Sequence, residues 1–140
     1  MKRMVVLLAI CGIVAFAAAQ ASASSSPIVI TYTKTCQVVN GVLQCSGTAG
    51  NGGTIFMQVT SFRASGDAGQ LTLTEWITAG DISFTADMSG HQTPAGFIVL
   101  NGRVTEGPLA GAEVHQRSNL VGGTPAVSEW VGQLQLVSLR

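Results

Sequence analysis

The residues best suited to chemistry in this 140-residue chain lie in one polar run, Glu113-Val114-His115-Gln116-Arg117. Glu113, His115 and Arg117 stand at i, i+2 and i+4, so a β-strand projects all three from one face, with Asn119 continuing the row. A histidine between a carboxylate and a guanidinium is equipped for general acid–base work, because imidazole titrates near neutrality. The alternate residues Ala112, Val114 and Leu120 form an apolar row. If the charged row lines an enclosed lumen, it is a candidate catalytic site. If the apolar row is buried, the charged one is a solvated face, and the apolar character of that row favours this second placement.

Glu75 is the other candidate. In Gln70 to Thr78, Leu71, Leu73, Glu75 and Ile77 share one face, and Thr72, Thr74, Trp76 and Thr78 share the other. An acid on an otherwise apolar face marks a pocket wall or a strand edge. Buried there, it needs a cationic partner, for which Arg63 and Arg103 are the candidates. His91, beside Gln92 and Pro94, reads as a surface loop residue. Two histidines without a clustered partner do not make a metal site, so neither metal nor other cofactor is expected. There is no Gly-x-Ser-x-Gly nucleophile motif. The glycine-rich segment Gly47 to Gly53 leads into an extended run, Thr54 to Phe62, rather than a helix N-terminus, which removes the geometry of a phosphate cradle. Trp76 and Trp130 read as core or rim packing.

The elements that must position these residues are strands. Asn40-Gly41 is a strong signal for a two-residue type I′ turn, which needs φ > 0 at both central positions. Folding about it pairs Val39 with Val42, Val38 with Leu43, Gln37 with Gln44 and Cys36 with Cys45. Cys36–Cys45 then falls on a non-hydrogen-bonded pair, where Cα atoms approach to about 4.5 Å, within reach of a disulfide. Beyond the hairpin, extended runs alternate with Gly/Pro/Asn/Asp links. Ile82, Phe84, Ala86 and Met88 against Ser83, Thr85, Asp87 and Ser89 give the clearest period of two. Phe97 to Glu106 reads as one strand with a glycine bulge at Asn101-Gly102, or as a second hairpin about that pair. No stretch carries a helical period. About eight strands with short links predict an all-β fold, a single antiparallel β-barrel, with a two-sheet β-sandwich as the alternative.

The chain opens with a basic Met1-Lys2-Arg3, an apolar run from Met4 to Ala19 and a small-x-small site at Ala21-Ser22-Ala23. This is the pattern of a secretory signal peptide over residues 1–23, with cleavage after Ala23, or alternatively after Ala19, and a single β domain over 24–140. The apolar run is short for a membrane span, so no stable membrane insertion is expected after cleavage. Removing Lys2 and Arg3 from the seven basic residues leaves five against seven acidic ones. A weakly acidic chain offers no electrostatic footprint for nucleic acid. Removing Cys11 leaves Cys36 and Cys45, an even pair that suits an extracellular, periplasmic or cell-envelope location.

The stretch Phe97 to Ala112 resembles a segment of the allene oxide cyclase/dirigent family of β-barrels. That family carries an apolar strand followed by a corner of the form Gly-x-aromatic-x-Gly-Ala. Gly107, Leu109, Gly111 and Ala112 match it, with leucine for the aromatic, whereas Thr105-Glu106-Gly107 stands where the family has Gly-Gly-Thr-Gly. The resemblance implies a barrel; no pocket residue of the family maps onto this chain. Three functional expectations follow. The first is a non-enzymatic binding module for a small apolar ligand or a protein partner. The second is a cyclase- or isomerase-type barrel enzyme using Glu75 or His115, and the third a structural component of the cell envelope or extracellular matrix.

Overall fold

Alternation of apolar and polar side chains at every second residue demands a sheet with one dry face, and a sheet that closes on itself supplies one. A computed structural model describes residues 26–137. The expected signal peptide over residues 1–23 and its cleavage site lie outside the described residues. Eight strands follow in order: β1 (Ile28–Val39), β2 (Val42–Ala49), β3 (Gly53–Ser65), β4 (Ala68–Ala79), β5 (Ile82–Gln92), β6 (Phe97–Glu106), β7 (Glu113–Gly123) and β8 (Val127–Val137). Each pairs antiparallel with the next, and β8 returns to pair with β1 from Ile28↔Leu136 to Gln37↔Val127. The fold is a closed eight-stranded meander barrel rather than a sandwich, and closure pairs every strand on both sides, though β3 beyond Gln58 is paired with β4 alone.

The first hairpin has the expected register, Val39↔Val42 through Cys36↔Cys45. Asn40 and Gly41 take φ of 50° and 81°, as a type I′ turn requires. Cys36 and Cys45 form a disulfide with Cα atoms 4.0 Å apart. Closing so short a loop contributes about 2.5–3 kcal/mol on the chain-entropy model.

Two glycine-rich stretches read as loops are shorter in the structure. β2 runs on through Ala49, and β5 continues through Gly90 and His91 to Gln92. Ladder hydrogen bonds outweigh the weak strand preference of glycine at these positions. β6 is one unbroken strand, but Gly102 is not a bulge. It pairs in register with Met88 and with Val114. The irregularity falls instead at Thr105, between Val104 and Glu106.

The inward rows are mainly apolar: Ile55, Ile77, Leu100, Val114 and Leu134 are almost wholly buried. The outer surface carries threonines that pair across strands, such as Thr33 with Thr48 and Thr60 with Thr72. The turns β1–β2, β3–β4, β5–β6 and β7–β8 gather at one end of this up-and-down barrel. The other connections, with Ile28 and Val137, gather at the opposite end. β3 and β4 extend beyond the rim at the first end. There Phe62 lies across Gly69 so closely that a Cβ on Gly69 would stand 2.5 Å from the ring.

Candidate functional site

Five polar side chains point into the barrel: Tyr32 and Lys34 from β1, Glu75 from β4, and Gln116 and Ser118 from β7. Strand parity puts them there. Tyr32 and Lys34 continue the inward row of Ile30 and Cys36, Glu75 that of Leu71, Leu73 and Ile77, and Gln116 and Ser118 that of Val114. Tyr32, Gly132 and Ser118 are register partners across three strands. The Tyr32 hydroxyl reaches Ser118 over Gly132, where an added Cβ would lie 2.5 Å from that hydroxyl and 2.2 Å from the Arg117 carbonyl oxygen. Glycine is required at 132 for the network to form.

Gln116 ties the group together. Its Nε2 donates to the Tyr32 hydroxyl at 2.7 Å and to Glu75 Oε1 at 3.2 Å. The Tyr32 and Ser118 hydroxyls share a short hydrogen bond, and Tyr32 also donates to the Arg117 carbonyl at 3.3 Å. Among the described residues, Glu75 Oε2 and Gln116 Oε1 have no hydrogen-bond partner. Lys34 Nζ has only the Met57 sulfur at 3.6 Å and the face of the Tyr32 ring, 5.1 Å to its centroid. Among the described residues no carboxylate lies within 4.0 Å of this ammonium.

Burial controls the titration of these groups. Loss of hydration pushes the Glu75 carboxyl up from its ordinary 4.5 to about 7, against the smaller opposing pull of Lys34 and the Gln116 amide. Loss of hydration likewise pulls Lys34 down from 10.5 to about 8, opposed by Glu75. Tyr32 is pushed up to about 12 by burial, partly offset by its hydrogen bonds to Ser118 and Gln116. Its phenol therefore stays protonated and serves as a neutral hydrogen-bonding post.

Above this network the barrel is not filled. A cavity of about 450 Å³ opens at the end where the β1–β2 and β7–β8 turns meet. Its walls include Leu43, Val59, Leu71, Leu73, Ile98 and Leu120, together with the Cys36–Cys45 disulfide and Trp130. Lys34 is the one charged residue among those lining it. The other polar linings, Gln92, Thr124 and Ser128, sit at strand ends near the rim, and Ser128 is engaged by the Trp130 indole N–H at 2.9 Å. Exposed apolar side chains also collect at this end. Val38, Val121 and Phe62 are 66%, 57% and 52% exposed.

The polar run on β7 lies elsewhere. His115 and Arg117 are exposed and Glu113 is half-buried, all on the outer wall. His115 Nδ1 meets Asn101 Oδ1 at 2.7 Å, and its Nε2 lies 3.6 Å from Glu113, which Arg103 also approaches at 3.6 Å. Glu113, His115, Asn101 and Arg103 form a cluster that faces away from the lumen, and no side-chain hydrogen bond or ion pair joins Arg117 to it among the described residues. Glu75 is fully buried as a lumen residue. Neither Arg63 nor Arg103 is its partner, since both point outward; Gln116 hydrogen-bonds it, and Lys34 acts on it only through its charge, beyond ion-pair distance. His91 is exposed. Trp130 is core, whereas Trp76 packs on the outside against Phe56 with ring centroids 5.4 Å apart. Among the described residues no group of three His, Cys, Asp or Glu side chains is placed to hold a metal.

Lys34, Gln116 and Ser118 escape a reading that follows only apolar residues. Parity alone was enough to find them: Lys34 is two residues from both Tyr32 and Cys36, and Gln116 lies midway between Val114 and Ser118. No family model matches the chain, and no curated protein matches it.

Proposed function

We propose that this protein is an exported binding module that holds a small, largely apolar molecule in the open end of its barrel. The observation that carries this reading is the cavity bounded by Leu43, Val59, Leu71, Leu73, Ile98 and Leu120. Its volume falls in the range of about 300–1,000 Å³ typical of small-molecule sites, and it has the usual character of apolar walls with few polar groups. The wall is rigid, because closure of the sheet and the disulfide hold the rim strands together. The signal-like leader and the disulfide agree with an oxidising destination.

The binding reading is favoured over an enzymatic one by the position of Glu75. It is completely buried beneath the cavity and is not among the residues lining it. A catalytic acid or base must come within hydrogen-bond reach of its substrate.

The test is titration of the purified protein with a neutral environment-sensitive fluorophore, N-phenyl-1-naphthylamine. Saturable binding at one site is expected, weakened at least tenfold by Leu120→Trp at the half-exposed rim. Binding that does not saturate, or that ignores the rim substitution, overturns the reading. Mass spectrometry of native protein from culture medium would report the mature N-terminus and any co-purified molecule.

A further inference from the structure

We infer that the molecule held in the cavity is an anionic amphiphile of the long-chain carboxylate class, its headgroup paired with Lys34 and its chain lying along the apolar wall toward the rim. The inference rests on the cavity reading above and adds the chemistry of the headgroup.

Three observations converge. Lys34 is 3% exposed, yet it lines the cavity, so its side chain is committed to the lumen. Its ammonium carries three donors and meets only a thioether and an aromatic face, both weak partners for a buried cation. A buried ammonium ordinarily has a hydrogen-bonded counter-charge, because leaving one without it is costly. Glu75 makes no ion pair with it among the described residues; its Oε1 is held by Gln116 and its Oε2 is unpartnered. The coordination that Lys34 lacks can be supplied from the cavity, which it lines.

The rest of the wall decides what accompanies the charge. Val59, Leu71, Leu73, Ile98 and Leu120 offer no donor, and the rim polar groups Gln92 and Thr124 stand at the mouth. A fully polar anion would leave this wall facing water, while a hydrocarbon alone would leave Lys34 unpaired. A carboxylate with an unbranched chain satisfies both. A cationic amphiphile is opposed by Lys34 itself. The outward row of Glu113, His115 and Arg117 plays no part, since it lies on the far side of the wall.

The experiment displaces bound N-phenyl-1-naphthylamine with dodecanoate, dodecanol and dodecylamine at pH 7, each below its aggregation threshold. Dodecanoate is expected to compete at least tenfold more strongly than dodecanol, with dodecylamine weakest. In Lys34→Met, whose added apolar surface suits the site, the fluorophore still binds and the preference for dodecanoate over dodecanol disappears. Lys34→Arg retains it. Equal competition by dodecanoate and dodecanol in the unsubstituted protein overturns the headgroup assignment while leaving the cavity reading intact. Failure of the fluorophore itself to bind overturns the cavity reading instead. The comparison of three probes on the unsubstituted protein needs no variant to fold.

Discussion

Strand β7 carries a charged polar set on one face and a neutral one on the other, and they have opposite fates. Glu113, His115 and Arg117 meet water, where the contacts of the first two with Arg103 and Asn101 are exposed. Gln116 and Ser118, one residue out of phase, meet Tyr32 and Glu75 in a dry lumen. A shift of one position along the chain separates a solvated surface from a network in which every hydrogen bond matters. The residues with the strongest chemical reputation stand on the wrong side of the wall. An amide and a hydroxyl, which few motif scans would single out, organise the interior.

That contrast can be broken most forcefully at Leu134, which is completely buried beside Gln116 in the β7–β8 register. Leu134→Ala should lose about 2–5 kcal/mol in urea denaturation, while the outward neighbour Gln133→Ala should stay within about 0.5 kcal/mol. Next in size, Gln116→Ala should lose about 1–3 kcal/mol by leaving Glu75 and Tyr32 without their shared donor. His115→Ala, immediately before it, should change stability by no more than about 0.5 kcal/mol. Comparable losses at positions 115 and 116 would erase the distinction between the faces.

The pH dependence sharpens the same comparison. Glu75 binds its proton more tightly in the folded protein than in the unfolded chain, so its contribution is fully present below about pH 4.5 and is lost as pH rises through about 7. Lys34 holds its proton less tightly when folded, so its contribution is present above about pH 10.5 and is lost as pH falls through about 8. Denaturation midpoints measured across the range should therefore fall between pH 4.5 and 7 and recover between pH 8 and 10.5. Glu75→Gln should flatten the first limb and deepen the second, because Lys34 loses the negative charge that opposes its downward shift. Glu113→Gln should shift stability by less than about 0.5 kcal/mol, and the difference should fade at high salt, as expected of an exposed ion pair.

Much of the architecture was legible before any coordinates. Asn40-Gly41 fixed a turn, the turn fixed a register, and the register brought Cys36 opposite Cys45, because each step is local and governed by backbone geometry. Strand identity was equally accessible from alternation. The boundaries at Ala49 and Gln92 were not, since glycine in a strand is stabilised by neighbours that the chain brings in from elsewhere. The site was half legible. Glu75 stood out as an acid in an apolar row, yet its partners come from β1 and β7, many residues away. Arg63 and Arg103 looked suitable by charge but sit on the outward phase of their strands. Lys34 required following the β1 alternation past the point where the residues stopped being hydrophobic.

The seam between β8 and β1 has a consequence for the order of assembly. The first strand finds one neighbour within ten residues but must wait for the other until the C-terminal segment arrives. During that interval one side of β1 is guarded by a covalently locked hairpin, while the other remains an open invitation to foreign chains. The cross-link thus keeps one side of β1 covered while the other awaits its neighbour, and its absence should be felt first as aggregation during refolding.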